Sequence, residues 1–518
     1  MGVLAVYDTV GIQNYIFSSN KLAENVGASK LVADIFKKTL PGVIEEVTKS
    51  PCLDWREHIN VPLSKDFTAE VIYEGGGNAY VAFKDESTFQ KITEKFLIEV
   101  CDKAPGLGIA VAAIETEFLE KYKYDFELLN ERLILVKGGF NIPVFAGNQP
   151  ITKQSGRIGL PVSVDKHGEY LSNSQLLKRE RYDDYKKKKK ISHIDFDDLA
   201  FDKETDSLIA IIHVDGNNMG KQIKHYMESF DKYKDAVPKI RQLSKKISEC
   251  YKTALKYTIG VFNETYQEYV EKEIKKLPSN VDKDFPENPL IELIVDGDDI
   301  TIIISARFAI DFAARLLLKI EETEKDKRPI KEIPPTACAG VVIFHSHFPF
   351  SDAYRLAEEL CSNAKKPSRD CDGSYIDFHL HQSGRAASLR DLRKRLYTVD
   401  CKTILRRPWR ISPSLDKVYP NYKWFNETLT HLQKNIAHNK LKNIRNSIGI
   451  NDEKAELAKN DLRAYTLPKF SIEPEKDESG KEIMSNYAAY FDVLEIMDTY
   501  VKLLVQKGAK DEKQNIAH

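Results

Sequence analysis

Leu293-Ile-Val-Asp-Gly-Asp-Asp-Ile-Thr-Ile-Ile-Ile304 reads as strand, tight turn, strand, with Asp296, Gly297, Asp298 and Asp299 at the turn. Carboxylates crowded on one hairpin tip repel each other and destabilise it unless a cation sits among them. A second stretch, Leu208-Ile-Ala-Ile-Ile-His-Val-Asp-Gly-Asn-Asn-Met-Gly220, is an apolar strand that ends in Asp215 and a Gly/Asn turn. Together they read as two strands of one sheet presenting acids to a pair of divalent metals.

Working outward, the chain contains a diverged repeat. Its first copy opens with a strand over 3–7 ending at Asp8. Helices follow over 12–17 and after Leu22, then a hairpin over 69–83 with Gly75-Gly76-Gly77-Asn78 at its tip, a helix over 87–101 and a strand over 107–114. The second copy keeps the order: strand 208–214 ending at Asp215, helix 237–269, hairpin 291–304, helix 308–322, strand 337–344 and helix 351–364. Apolar residues recur near the 3.6-residue period in the helices, as at Phe308, Phe312, Leu316 and Ile320. The β-α-β-β-α-β order is the ferredoxin-like split βαβ pattern, a four-stranded antiparallel sheet backed by helices. The fold class is therefore α+β: two ferredoxin-like domains at 1–149 and 206–385, a region between them at 150–205, and a helical, charged C-terminal domain at 386–518. The region between the two carries five consecutive lysines, Lys186 to Lys190. It reads as a solvated linker or as a contact for RNA or DNA phosphates. Residues 472–480 read as a loop, and the tail after Gln506 as frayed.

Composition bounds the function. The 518 residues suit roughly three or four domains of an ordinary globular protein, with 42% hydrophobic and 30% charged content. A net charge of −1 excludes a whole-molecule attraction to nucleic acid, so any basic site is local. Seven cysteines without a C-x-x-C argue against a disulfide framework or zinc ribbon and for a reducing cytoplasm. No apolar run reaches the ~18 residues of a membrane span, and the N-terminus lacks the features of a signal peptide, so no membrane is expected.

Phosphoryl and nucleotidyl transfer need charge neutralised on the phosphates and at the attacking oxygen, which two divalent ions can do. Hard ions such as Mg²⁺ take carboxylate oxygens together with substrate phosphates and water. Asp215, Asp298 and Asp299 are the candidate catalytic and metal-holding acids. Gly297 allows the tight turn and a close approach by phosphate or base. Asn217, Asn218, Met219 and Gly220 form a turn into a helix whose free N–H groups suit a triphosphate. Read separately, each segment is also an ordinary capped turn or Asp-Gly hairpin. The tip at Gly75–Asn78 keeps the hairpin shape without the acids and reads as the far wall of a nucleotide site or as a purely structural turn. Lys365 or Lys366 is placed to meet a β- or γ-phosphate, or to close its helix as a C-terminal lysine. His213, His345 and His347, near strand ends, read as core or rim histidines.

These residues resemble the large, polymerase-like, two-palm subunit of type III CRISPR effector complexes, and more widely the nucleotidyl cyclase/GGDEF palm superfamily. The likeness is carried by Val10-Gly-Ile-Gln-Asn-Tyr-Ile-Phe-Ser-Ser-Asn-Lys-Leu-Ala-Glu-Asn-Val-Gly-Ala-Ser29, by 213–220, by Asp296 to Asp299 in the place of the family's GGDD, and by 339–360 followed by Ala364-Lys365-Lys366. Arg406-Arg-Pro-Trp-Arg410 looks like part of the family's terminal helical domain. The resemblance implies an enzyme, a metal-dependent nucleotidyltransferase that makes a cyclic oligoadenylate-like second messenger in antiviral defence and releases pyrophosphate. Two ions, Mg²⁺ or Mn²⁺, would be held by Asp215, Gly216, Asp298 and Asp299. Nucleotide, ATP first, would be met by Ser18, Ser19, Lys21, Gly216, Asn217, Asn218, Gly297 and Lys365. RNA or CRISPR-type effector subunits are the partners it implies.

Asp296 departs from the family's first glycine, where a side chain can crowd the nucleotide or change its preferred base. The chain also opens directly on the first palm, with no His-Asp dipeptide and no cysteine pairs between the palms. DNA cleavage is therefore not expected, and a stand-alone signalling enzyme fits as well as a member of an RNA-guided complex. The rival readings are a single-nucleotide cyclase or cyclic dinucleotide synthase on the same palm, and a non-catalytic scaffold or nucleotide sensor.

Overall fold

The computed structural model describes residues 1–504 except 65, 119, 141–151, 157–158, 167, 193, 202–206, 277–284, 288, 370, 383–386, 413–419, 463–466, 473 and 478. The tail after Gln506 and parts of the inter-palm region and of the 472–480 loop thus lie outside the described residues.

The first palm runs β1 (Gly2–Val10), α1 (Ile12–Ile16), α2 (Leu22–Asp34), α3 (Leu40–Thr48), β2 (Ala69–Gly75), β3 (Asn78–Phe83), α4 (Glu86–Lys103), β4 (Gly108–Thr116) and α5 (Tyr122–Gly138). Its sheet has the order β2-β3-β1-β4, antiparallel throughout. Between the palms lie a small hairpin, β5 (Val164–Lys166) and β6 (Glu169–Leu171), and helix α6 (Asn173–Lys189). The second palm runs β7 (Leu208–Gly216), α7 (Met219–Met227), α8 (Tyr233–Ile274), β8 (Leu290–Asp296), β9 (Asp299–Ser305), α9 (Ala306–Glu321), β10 (Ala337–His345), α10 (Phe350–Ser368) and β11 (Tyr375–Leu380). The C-terminal part holds α11 (Leu389–Leu396), β12 (Thr398–Val399), β13 (Lys402–Thr403), β14 (Trp409–Arg410), α12 (Tyr422–Asn435), α13 (His438–Ile448), α14 (Asp452–Asn460) and α15 (Ala488–Glu495).

The repeat is visible in backbone detail. Both palms place the first strand between the third and the fourth. In both, the hairpin strand carries an irregularity at the same distance from the tip, between Val71 and Tyr73 and between Glu292 and Ile294. Both tips are two-residue turns, closed by the pairs Gly75↔Asn78 and Asp296↔Asp299. Gly76 and Gly77 both have positive φ, whereas only Gly297 does in the second tip, which suits turn types I′ and II′ respectively.

Three features differ from the sequence expectation. The second sheet has six strands, β14-β11-β10-β7-β9-β8, because β11 adds in parallel to β10 and β14 pairs with β11. β11 is buried on both faces and carries Asp377, His379 and the neighbouring His381 inside, so it shows no clean alternation. The inter-palm region is not a bare linker: α6 packs on α2, where Glu24, fully buried, accepts hydrogen bonds from Arg179 Nη2 at 2.7 Å and from Gln175. Its buried face is largely polar, which hides a packed helix from a hydrophobicity pattern. Lys186–Lys189 form its last turn and Lys190 its left-handed cap. Finally, the helical C-terminal part shares a core with the second palm. Trp409 is fully buried, and Asp311 of α9 accepts from Tyr422 and Tyr500 hydroxyls at 2.9 Å each and from Leu503 N–H at 2.8 Å.

The palms also share cores. Alternate residues of β1 and β7 feed two hydrophobic clusters, each drawing side chains from both sheets. Each palm further covers the other's edge strand. From α8, the fully buried Arg241 donates to the carbonyls of Ile72 and Val71 on β2 at 2.7 and 3.1 Å and to Glu70 at 2.9 Å. From α2, Ser29 Oγ donates to the Leu293 carbonyl on β8. No helix among the described residues is long and apolar enough to cross a membrane.

Candidate active site between the two hairpins

Period-two alternation puts His213 and Asp215 of β7 on the same sheet face as Thr301 and Asp299 of the neighbouring β9, and α10 covers that face. From the last turn of α10, Lys365 Nζ donates to Asp215 Oδ2 at 2.5 Å and to the Gly216 carbonyl at 2.9 Å. The tip brings Asp298 against the same corner. A β-carbon on Gly216 would lie 2.5 Å from Asp298 Oδ2 and 2.8 Å from the Tyr251 hydroxyl, so only glycine lets this acid close on the end of β7. Asp215, Asp298, Asp299 and Gly297 are therefore brought together, with Lys365 beside them.

The electrostatics follow from crowding. Burial, then repulsion from Asp215, pushes the Asp298 carboxyl up to about 6. Burial and repulsion from Asp215 and Asp298 also hold Asp299 above the usual carboxylate range, although its side chain is still 41% exposed and water tempers the effect. His213 is held down to about 4 by burial, with Lys365 acting in the same direction, and so is neutral. Its Nδ1 engages Thr301 Oγ1 at 3.2 Å and lies 3.5 Å from Asp299 Oδ1. Asp299 Oδ1 is buried without a hydrogen-bond partner among the described residues.

Among the described residues no three His, Cys, Asp or Glu side chains form a ready metal cage. The donor set nevertheless fits a hard cation that brings part of its own coordination. It offers carboxylate oxygens from Asp215, Asp298 and Asp299, the Gly216 carbonyl, and one orphaned carboxylate oxygen.

The first palm supplies the opposite wall. A cleft of about 530 Å³ lies between the tips, lined by Gly75–Asn78, Asp296, Asp298, Asp299, Lys30, Lys37 and Tyr354 among others. The corresponding corner of the first palm retains a trace of the site. Asp8 stands opposite Asn78, and Lys137, in the last turn of α5, donates to Asp8 at 2.7 Å, as Lys365 does to Asp215. Gly77 and Asn78 stand where Asp298 and Asp299 would be.

Other expected ligands are placed differently. Ser18, Ser19 and Lys21 do not line this cleft: Ser18 Oγ accepts from Lys178, Ser19 Oγ accepts from the Lys21 N–H, and Lys21 pairs with Asp195 at 3.5 Å. The loop that holds them packs against the inter-palm helix. Asn217 is buried, its amide donating to Thr336 Oγ1 at 3.1 Å and the Gly373 carbonyl at 3.0 Å, which makes it a brace for the turn. Asn218, exposed and left-handed at φ 54°, opens α7 without a side-chain cap.

Sequence reading missed Glu358, which burial pushes up to about 7, with Asp215 repelling its charge. It accepts from Gln13 of the first palm. Its spacing seven residues before Lys365 puts both on one helix face, a signal that was readable.

Comparison with known proteins fits this arrangement. Residues 208–372 match the family model described as Cas10/Cmr2, second palm domain. No curated protein matches the chain. Among solved structures the chain is similar to the Csm1–Csm4 cassette in complex with AMPPNP, with a TM-score of 0.53 and 14% identity over 96% of this chain and 69% of that one. It is similar to the cassette with cA4 (0.51, 14%, 96% and 69%). The apo cassette gives 0.51 and 13% over 96% and 70%. At such identities the likeness is one of fold, extending over both palms and the C-terminal part. Residues 208–372 thus match the Cas10/Cmr2 second palm domain, within a chain whose fold is similar to that of Csm1.

Proposed function

We propose that the chain is a nucleotidyltransferase that joins nucleoside triphosphates, ATP first, into a cyclic oligonucleotide in type III CRISPR-like defence signalling. The observation that carries the reading is the convergence of Asp298 and Asp299 with Asp215 across adjacent strands, beside Lys365 and facing the glycine tip of the first palm. The fold likeness to Csm1–Csm4 cassettes with AMPPNP and cA4 supports it. By the same likeness a Csm4-type subunit is a proposed partner, and RNA is the one the sequence resemblance implies.

The residues divide the work as follows. Asp215, Asp298, Asp299 and the Gly216 carbonyl hold Mg²⁺ or Mn²⁺. Bound there with nucleotide, the two ions would neutralise phosphate charge and ease ionisation of the attacking 3′-hydroxyl. Lys365 supplies a point charge to the phosphates once it is shared with Asp215. Neutral His213 fixes the Thr301–Asp299 side of the corner. The glycine tip leaves room for the second nucleotide. Positioning and charge stabilisation then carry the transfer, with no protein general base required.

The test is incubation of the purified protein with each NTP and Mg²⁺ or Mn²⁺, with and without RNA and a Csm4-type subunit, followed by mass spectrometry. Cyclic oligonucleotide and pyrophosphate that vanish in Asp298→Ala support the reading. Absence of pyrophosphate under every condition overturns it, and a monomeric or dinucleotide cyclic product selects the narrower cyclase. Unchanged signalling by Asp298→Ala in cells would instead select the scaffold.

A further inference from the structure

Asp296 is the acid of the second tip whose partners lie across the cleft. Its Oδ2 accepts from the Gly77 N–H at 3.3 Å, and its Oδ1 lies 3.5 Å from Lys37 Nζ. Gly77 is pinned in place: its carbonyl accepts from Thr9 N–H at 2.9 Å and Thr9 Oγ1 at 2.7 Å, and a β-carbon there would meet Ile12 Cδ1 at 2.7 Å. Its N–H is thus held facing the second tip. Lys252 stands close enough to feel Lys37, Asp296 and Arg56, with buried Glu74, bonded to Arg56 and to Trp55 Nε1, as counter-charge. A fixed backbone N–H and an ammonium that converge on carboxylate oxygens would receive phosphate oxygens equally well.

The arrangement is one-sided. The residue that corresponds to Asp296 in the first tip is Gly75, which sends no carboxylate back across the cleft. A side chain would fit there, since a β-carbon on Gly75 would meet only Ser244 Oγ at 3.6 Å. Acid at one position and none at the other leaves the Asp215–Asp298 end open to a ligand and fills the first-palm end from within.

We propose, resting on the nucleotidyl-transfer reading above, that Asp296 is a specificity residue whose carboxylate occupies an anion position formed by Gly77 N–H and Lys37. The first-palm end of the cleft then refuses polyphosphate, and each chain takes a triphosphate only at the Asp215–Asp298 end. A nucleotide at the first-palm end presents its sugar or base.

The experiment is titration calorimetry of the full chain with inorganic tripolyphosphate in EDTA, so that neither divalent ions nor turnover contribute. Asp296→Gly should bind it about tenfold or more tightly than the natural chain, as expected when a like charge a few ångströms away is removed near a protein surface. Asp296→Asn, close in size but uncharged, should fall between. Adding Lys37→Met to Asp296→Gly should abolish the gain. Equal binding by the natural chain and both Asp296 variants, or a gain that survives Lys37→Met, overturns the proposal. The outcome is independent of whether the protein makes any product, so it fails or stands apart from the enzymatic reading.

Discussion

Asp298→Asn tests whether the acids converge as described, because it should stabilise the metal-free protein while destroying its site. The carboxyl is raised from 3.8 to about 6 by burial and by Asp215. Two units correspond to about 3 kcal/mol at most, and an open cleft screens this to about 1–2 kcal/mol. The sign follows from linkage. A folded-state pKa above the unfolded value gives a contribution that is full below the unfolded pKa and lost as pH rises through the folded one. At pH 7.5 the charged acid therefore burdens the fold, and the neutral amide removes that burden. Thermal unfolding in EDTA should place the variant roughly 1–2 °C above the natural chain if the whole chain melts together, and more if the second palm melts alone. The gap should narrow as pH falls through 6 and be nearly gone near 4. Excess Mn²⁺ with a non-hydrolysable ATP analogue should reverse the order, since ligand at a hundredfold its Kd adds about 2.7 kcal/mol to the chain that binds it. A variant less stable than the natural chain in EDTA at pH 7.5, or a gap that widens on acidification, would refute the crowding argument.

At limiting Mg²⁺, nucleotidyl transfer should fall on acidification below pH 7, because in the metal-free cleft burial pushes Glu358 up to about 7 and Asp298 up to about 6, so that protons compete with the cations; a rate profile flat from pH 5.5 to 8 at limiting Mg²⁺ would contradict this. Lys365→Met removes the ammonium that donates to Asp215 and the Gly216 carbonyl, and should raise the KM for ATP by about tenfold or more in steady-state assays, with an unchanged KM counting against a phosphate role. Gly340→Ala forces a β-carbon to within 2.0 Å of the Ala357 carbonyl and 2.5 Å of the Cys361 N–H, pushing α10 off β10. It should destabilise by about 2–3 kcal/mol in denaturant titrations and lower activity through displaced Glu358 and Lys365, whereas native stability would show that the helix can move freely.

Legibility followed the physics of each segment. The two hairpins were readable because a Gly-containing turn between apolar strands has few other solutions, and the acids stood out because nothing in a core or on a plain surface calls for them. The pairing of β7 with β9 followed from topology. Strand β11 was hidden because both faces are buried and its Asp377 is satisfied internally, by Arg393 at 2.6 and 2.7 Å and by Asn363 at 2.7 Å. Helix α6 was hidden for the same reason, since ion pairs rather than aliphatic side chains line its contact with α2. Ser18, Ser19 and Lys21 rested on resemblance alone, and no local chemistry fixed which way that loop would face. Asp296 was legible as a departure, but its reach to Lys37 and Gly77 depends on how two distant hairpins meet.

The crossed grip of α8 on β2 and α2 on β8 bears on how the gene can be cut. Each sheet ends in a strand whose outward carbonyls are claimed by a helix from the other half. A fragment starting near residue 206 would bare β8 and leave Arg241 with no carbonyls to serve. Such a bare strand invites pairing with its own kind. Fragments of either half should therefore come out of cells as aggregates, and co-expression of both should return them to solution.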